Sequence, residues 1–380
     1  MLFALSIFMI FESQRLLAFA QQYDNITVKE KNAVDKLSAV RPVIGPTKFD
    51  RVKKIYWEKV KSAYFERVGY YAEDWPGDTG SLRSIEKYGQ YMTAVVPFAY
   101  RVDKYGNLSG QLTGNLLRAA NEKRLNVLVL VHNFNNNGFD RQLISAVLND
   151  SKARNNLIAN ILKLIREKTL AGVNIDFENI SPSERNKFND FLKLLKDKLR
   201  AEGYLLTVSV PAKTWDNKQD AWSGGFDYRF IGSVADRVML MTYDEHWFGG
   251  SPGPIASLPW VENVLKFATS QIPKDKLLLG IGTYGYDWGQ KGKGRTVSSS
   301  KALQLAKQHG AKIQWDAKAQ VPYFYYWTSG EKRTVWFEST QSAALKAQLV
   351  KKYDVGGIAV WRLGFEDGAF WETMSSKLAR

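Results

Sequence analysis

Gly172-Val173-Asn174-Ile175-Asp176-Phe177-Glu178-Asn179 is the stretch on which the reading of this chain turns. Asn174, Asp176 and Glu178 alternate with Val173, Ile175 and Phe177. Successive side chains of a β-strand point to opposite faces, so the three polar groups share one face and the three apolar groups line the other. The residues just before, Leu157 to Leu170, have the spacing of an amphipathic helix feeding the strand. That pattern belongs to buried parallel strands; the alternative is a surface strand with a solvated polar face. Burying three polar groups costs free energy unless each has partners and a task. An ionisable cluster in that setting is a candidate functional site.

Outward from this strand, apolar runs recur at Arg67–Tyr71, Tyr91–Tyr100, Val127–His132, Gly172–Phe177, Leu205–Val210, Arg237–Thr242, Lys276–Tyr284 and Gly357–Trp361. Helical patterns lie between most of them, and a last one spans Trp371 to Leu378. The alternation predicts an α/β fold, a parallel (β/α)8 TIM barrel over residues 67–380. A doubly wound open sheet is the alternative. Its dinucleotide-binding form would carry a glycine-rich phosphate loop after the first strand, and the sequence has none there. The seventh crossover is too long for one helix. It holds a helix at Ser298–His309 and alternating runs at Lys312–Trp315, Tyr323–Trp327 and Val335–Phe337, with a hairpin turn at Ser329-Gly330-Glu331. A small α+β insertion is therefore expected at about 287–355, between strands seven and eight. Asn135-Asn136-Asn137 reads as a turn.

Ahead of the barrel, residues 21–66 read as a polar, basic linker followed by a helix from Phe49 to Phe65. The first twenty residues are largely apolar and end in Ala18-Phe19-Ala20, which reads as a signal peptide cleaved near Gln21, with an uncleaved anchor or a mis-assigned start as alternatives. Export from the cell is the expectation. No later run of eighteen apolar residues suggests a membrane span. The 380 residues are 45% hydrophobic and 24% charged, ordinary values for a folded protein. Cysteine is absent, which excludes disulfides, thiol nucleophiles and thiolate metal sites. The net charge is +15, and Gln290–Lys352 holds twelve basic residues against three acidic ones. Such a surface favours anionic polymers or is simply a solvated face. No zinc-finger spacing or RNA-binding signature accompanies it, so no nucleic-acid partner is expected.

In a β/α barrel the active site lies at the C-terminal strand ends. Those ends carry His132-Asn133, then Asp176 and Glu178, then Met241-Thr242-Tyr243-Asp244-Glu245-His246-Trp247, then Tyr284-Gly285-Tyr286-Asp287-Trp288, and finally Trp361-Arg362. Carboxylates, hydroxyls and aromatic planes at one mouth describe a sugar site, with barrel-rim packing as the plainer reading of Trp247, Trp288 and Trp361. Asn174, Met241, Trp247, Asp244, Tyr284 and Trp361 are the candidate substrate contacts. The three histidines lack metal-site spacing, and no metal or organic cofactor is expected.

These motifs resemble glycoside hydrolase family 18, the chitinase family. Gly172 to Glu178 is similar to its active-site strand, Met241-Thr242-Tyr243-Asp244 to its strand-six motif, and Trp361 stands where its strand-eight tryptophan lies. Tyr243-Asp244-Glu245-His246-Trp247, Leu258-Pro259-Trp260 and Tyr284-Gly285-Tyr286-Asp287-Trp288 look like the spore-cortex N-acetylglucosaminidases of that family. The resemblance implies a retaining hydrolase acting on an N-acetylglucosamine polysaccharide, peptidoglycan or chitin, with the substrate's acetamido oxygen as nucleophile. By the same resemblance Glu178 is the acid and later the base, Asp176 orients the acetamido group, Tyr243 donates a hydrogen bond to it, and Trp361 forms the floor. A non-catalytic glycan-binding protein on the same barrel is the alternative from another class. The chain departs from the fuller family pattern at Ala171 and Asn174, where aspartates are usual. Without a like-charged neighbour at 174, Asp176 is expected to ionise more readily.

Overall fold

The computed structural model describes residues 65–135, 138–290 and 293–379. The apolar N-terminus, the linker and the helix expected from Phe49 lie outside these residues up to 64, while Phe65 is not helical and Glu66 already opens the first strand; Asn136 and Asn137 of the expected turn also lie outside. No helix among the described residues is long and apolar enough to cross a membrane.

Eight parallel strands close into the expected barrel. They are β1 (Glu66–Tyr71), β2 (Ala94–Val102), β3 (Asn126–His132), β4 (Gly172–Asp176), β5 (Leu205–Pro211), β6 (Arg237–Met241), β7 (Leu277–Gly282) and β8 (Gly357–Trp361). Each pairs with its neighbours in order, and β1 closes on β8 from Glu66↔Gly357 to Gly69↔Val360. Side-chain alternation sorts the residues into two cores. Val68, Tyr70, Ala94, Val96, Leu128, Leu130, Met239 and Leu278 fill the barrel. Val129, Val131, Val173, Ile175, Val208 and Leu279 face the surrounding helices. Each aliphatic side chain fully buried in this way contributes about 1.5–3 kcal/mol.

β4 shows how local sequence places the site. The helix Ser151–Lys168 buries Leu157, Ile158, Ile161, Leu162 and Ile165, the stripe read from the sequence. It ends at Thr169, whose φ of 55° turns the chain toward the strand. β4 then opens on Gly172 because β5 approaches too closely for a side chain: an added Cβ would lie 2.1 Å from the Leu205 carbonyl oxygen.

β7 stops at Gly282, short of the strand expected through Tyr284. Thr283 donates its N–H to the Trp361 carbonyl (2.8 Å) and its hydroxyl to the Arg362 carbonyl (2.7 Å). Beyond that hook the chain leaves the barrel for a five-stranded antiparallel sheet, ordered Arg295–Ser298, Tyr284–Trp288, Glu331–Phe337, Val321–Thr328, Gln314–Asp316. Ser329 and Gly330 form a two-residue hairpin turn with φ of 49° and 74°, as the primed hairpin turns require. The helix Ser299–Gln308 covers one face, packing Ala302 and Ala306 over Val297, Phe324, Tyr326, Val335 and Phe337. On that face the buried Asp287 carboxylate accepts from Arg333, Arg295 and Tyr326, each at 2.7 Å. Three donors offset the desolvation of one carboxylate and pin the sheet.

The return to the barrel comes earlier than about 355. Thr340–Tyr353 opens on a Ser339–Ser342 capping box and packs Ala343, Ala347 and Val350 into the main core. Lys346 on this helix is itself buried, paired with Glu338 at 2.8 Å. Part of the basic excess therefore belongs to a barrel helix and not to the insertion.

Candidate active site

β4 brings Asn174 and Asp176 into the barrel and carries Glu178 just past its end, while Val173, Ile175 and Phe177 are fully buried toward the helices. The two faces are those read from the sequence. Asn174 donates its amide to Thr207 Oγ1 (2.9 Å) and Met239 Sδ (3.4 Å) and accepts from the Ser209 hydroxyl (3.1 Å). The Tyr70 hydroxyl completes this layer against Ser209 Oγ (2.9 Å) and Met239 Sδ (2.7 Å). Four strands thus hold a buried polar floor beneath the carboxyls. Thr207 and Ser209 were legible in principle, because they alternate in β5 as Asn174 and Asp176 do in β4, but small hydroxyls in an apolar strand give a weak signal.

Burial pushes the Asp176 carboxyl up to about 7, against the pull of the Ser209 hydroxyl. An aspartate at 174 would add a like charge to this desolvation; the amide there removes that addition and leaves the shift from burial. Glu178 is held well above the usual carboxyl range by burial first, then by the charges of Asp176 and Asp244. Asp244 sits in the left-handed region (φ 64°) and is raised by burial, while hydroxyl donation from Tyr284 (2.5 Å) and Tyr286 (2.8 Å) opposes that. Burial also raises the Tyr243 phenol far above its ordinary value, with Tyr70 and the three carboxyls adding to it. Asp176 is buried, Glu178 is half-buried and Asp244 reaches solvent, and their like charges oppose one another's ionisation.

Asn174, Asp176, Glu178, Tyr243, Asp244 and Tyr284 therefore form one cluster. Trp361 ends β8 beside it, its ring edge-on to Tyr70 (5.5 Å) and Phe98 (5.8 Å). His132 stacks on Phe98 at 4.1 Å, accepts the Phe134 N–H at Nδ1 (3.1 Å), and is lowered to about 4 by burial and then by the Arg101 cation. It is a neutral ring at working pH. Met241 ends β6 half-buried. Trp247 stands on the rim, 50% exposed and edge-on to Phe248, which leans on Tyr286. Among the described residues no three His, Asp or Glu side chains converge as a metal-binding group.

Two clamps were not anticipated. The buried Asn133 amide accepts the Glu178 N–H at Oδ1 (3.0 Å) and donates from Nδ2 to the carbonyls of Glu178 (3.0 Å) and Asp140 (3.1 Å). Arg141 Nε donates to the carbonyl (3.2 Å) and side-chain oxygen (3.0 Å) of Asn179, whose φ is 59°. Asn133 could be placed at a strand end from sequence; its long-range partners could not.

Residues 66–366 match the model of glycosyl hydrolases family 18. The chain belongs to family 18. The cortical fragment-lytic enzyme of Bacillus anthracis is 31% identical to this family 18 chain over 75% of it and 67% of its own length. Among solved structures, the spore cortex-lytic enzyme SleL of Bacillus cereus superposes with a TM-score of 0.77 at 28% identity, over 83% of this chain and 74% of its own. A chitinase of Chromobacterium violaceum does so with a TM-score of 0.77 at 31% identity, over 83% and 99%. The protein is thus a glycosidase with spore cortex-lytic relatives.

For such an enzyme the Asn133 clamp carries a prediction. Asn133→Ala leaves the Glu178 N–H and carbonyl unpaired and should lower kcat by roughly 10- to 100-fold, as small misplacement of a reacting group does, with KM little changed. Asn133→Asp keeps the acceptor but loses the donor and should fall between. Equal loss in kcat and affinity, or no loss, would show that Asn133 does not position Glu178.

Proposed function

We propose that this protein cleaves the β-1,4 bond after N-acetylglucosamine in peptidoglycan of the cell wall or spore cortex, with retention and by substrate-assisted catalysis. The observation that carries this reading is the Asp176–Glu178 pair at the end of β4 beside Tyr243, with the Glu178 carboxyl raised well above its ordinary range. Glu178 gives its proton to the leaving oxygen as the substrate's acetamido oxygen bonds to the anomeric carbon. Asp176, seated on the Asn174–Ser209–Tyr70 layer, orients the acetamido group and balances the positive charge of the cyclic intermediate. Tyr243, a neutral phenol, donates to the acetamido oxygen, and Trp361 underlies the distorted ring. Glu178, now a carboxylate, takes a proton from water as that water opens the intermediate, which restores the acid. Asn174 in place of an aspartate alters the proton inventory of the pair and leaves the acid in place.

Peptidoglycan is favoured over chitin by the likeness to cortical fragment-lytic enzymes and by a net charge of +15, which suits a carboxylate-bearing polymer. Action at the wall or spore implies export. The likeness to a chitinase keeps chitin as the second reading. Mass spectrometry of products from cortex fragments, wall muropeptides and chitin oligomers tests both. Cortex or wall fragments ending in N-acetylglucosamine, with chitin spared, are expected. Preferential cutting of chitin oligomers would move the enzyme to the chitinases, and no product from any of them would leave a glycan-binding protein.

A further inference from the structure

β2 ends in a bulge. Phe98 lies opposite Leu130 of β3, yet Tyr100 is opposite Val131 and Arg101 opposite His132, so Ala99 is an extra residue. Plain alternation would put Tyr100 on the inward face with Phe98. The extra residue turns Tyr100 and Val102 out to the helices and aims Arg101 in over the mouth of the barrel. The paired strand Leu108–Gly110 makes room for the bulge: a Cβ on Gly110, whose φ is 145°, would lie 1.9 Å from the Ala99 carbonyl oxygen. Arg101, His132 and Asp176 then stand opposite one another across β2, β3 and β4. Phe98 ties this row to the active site, stacked on His132 at 4.1 Å and edge-on to Trp361 at 5.8 Å. The row offers donors without acceptors. Arg101 is exposed, and its guanidinium makes no ion pair or hydrogen bond with any described residue. Asp103, the nearest carboxylate along the chain, is engaged by the N–H groups of Tyr105 (2.8 Å) and Asn107 (2.9 Å). His132 is neutral and accepts at Nδ1, so its proton lies on Nε2 as a second donor.

We propose that Arg101, with His132 beside it, forms a subsite for a carboxylate carried by the sugar next to the one in the catalytic site. The inference rests on the hydrolase reading above and deepens it by naming a residue that tells wall glycan from chitin. The two polymers share their linkage and their acetamido groups. Only wall glycan hangs a carboxyl from the ring, on the lactyl ether of alternate sugars, so each N-acetylglucosamine has such a neighbour. Two strand spacings of about 4.8 Å put Arg101 roughly 10 Å from Asp176, beyond the ring that Asp176 orients and within reach of that neighbour. A planar guanidinium meets a carboxylate through two parallel N–H···O bonds, each assisted by charge, which the hydroxyls of chitin cannot match. Because Arg101 has no internal partner, no ion pair has to break before a carboxylate arrives.

The test compares wild type, Arg101→Gln and Arg101→Lys in the full chain. Peptide-stripped wall glycan, the same glycan with its carboxyls converted to methylamides, and chitin oligomers serve as substrates. Wild type should cut the free-acid glycan with a kcat/KM roughly three- to tenfold above the methylamide, and less so at high salt, the size of one partly exposed charge-assisted pair. Arg101→Gln should abolish that preference. Arg101→Lys should keep part of it, as a point charge without the planar fork does. The preference is a ratio within each variant, so any loss of folded protein cancels. Equal cleavage of the two glycans by wild type, or an undiminished preference in Arg101→Gln, would overturn the subsite. A fall in chitin cleavage by Arg101→Gln as large as the fall in free-acid glycan cleavage would also overturn it. Should wild type cut neither wall glycan, the peptidoglycan reading fails by itself. Retention of Glu178→Gln protein on the free-acid and methylamide glycans, with and without Arg101→Gln, then judges the subsite alone: a preference for the free acid that disappears with Arg101 supports it, and equal retention overturns it.

Discussion

Glu178→Gln should lower turnover of wall fragments by about 10²- to 10⁴-fold, the range of a general acid, while the protein still binds them. The amide keeps the size of the carboxyl and cannot release the proton. Normal hydrolysis by the variant would remove Glu178 from the acid role. The pH dependence follows from the same burial. Because burial, Asp176 and Asp244 all raise Glu178, its protonated form persists well above the ordinary carboxyl value of 4.5, and the alkaline limb of kcat/KM should lie correspondingly high. Stability falls in the same direction as pH rises. A carboxyl raised on folding contributes stability that is complete below its unfolded value and is lost as pH rises through the folded one. Asp176 spans that window from 3.8 to about 7. Glu178→Gln removes one member of the strained cluster, so its Tm should exceed that of wild type above neutral pH and converge with it near pH 4. Each kcal/mol relieved is worth about 2–4 °C in a domain of this size. Scanning calorimetry at the two pH values reads the difference.

Asp176→Asn should cost about 10²- to 10³-fold in kcat, the scale of losing one preorganised electrostatic contact to a charged intermediate. Its second effect separates a chemical role from mere packing. Asp176 is the larger of the two charges that raise Glu178, so removing it should move the alkaline limb to lower pH. Asn174 already fills the neighbouring inward position with an amide bonded to Thr207 and Ser209, so the fold accommodates amides there. A variant with normal kcat, or one whose pH profile stays in place, would show that the two carboxyls do not share a proton inventory.

Much of this arrangement was legible before any coordinates. Period-two alternation at Gly172–Glu178 predicts which side chains enter the barrel, and it does so because strand geometry is local. The same rule located all eight strands, the hairpin at Ser329-Gly330, and the strand ends that carry Tyr243, Asp244 and Trp361. It ran one element too far at Tyr284. That residue continues an apolar run and leaves the barrel only because Thr283 is tied to the backbone of residues 361 and 362. The insertion likewise ends at Phe337, since Thr340–Tyr353 packs into a core that the sequence does not display.

What depended on contacts between distant residues could not be read. Asn133 reaches Glu178 across 45 positions, and Tyr70 reaches Ser209 across 139. The state of Asp176 is the clearest case. The amide at 174 spares it a like-charged neighbour, and burial, which the sequence does not display, raises it all the same. Local alternation determined that Asp176 and Glu178 share a face with Asn174. Only the closed barrel, by burying Asp176 and gathering Asp244 and Tyr243 around the pair, raised both carboxyls, because desolvation is a property of the whole surround and of no single strand.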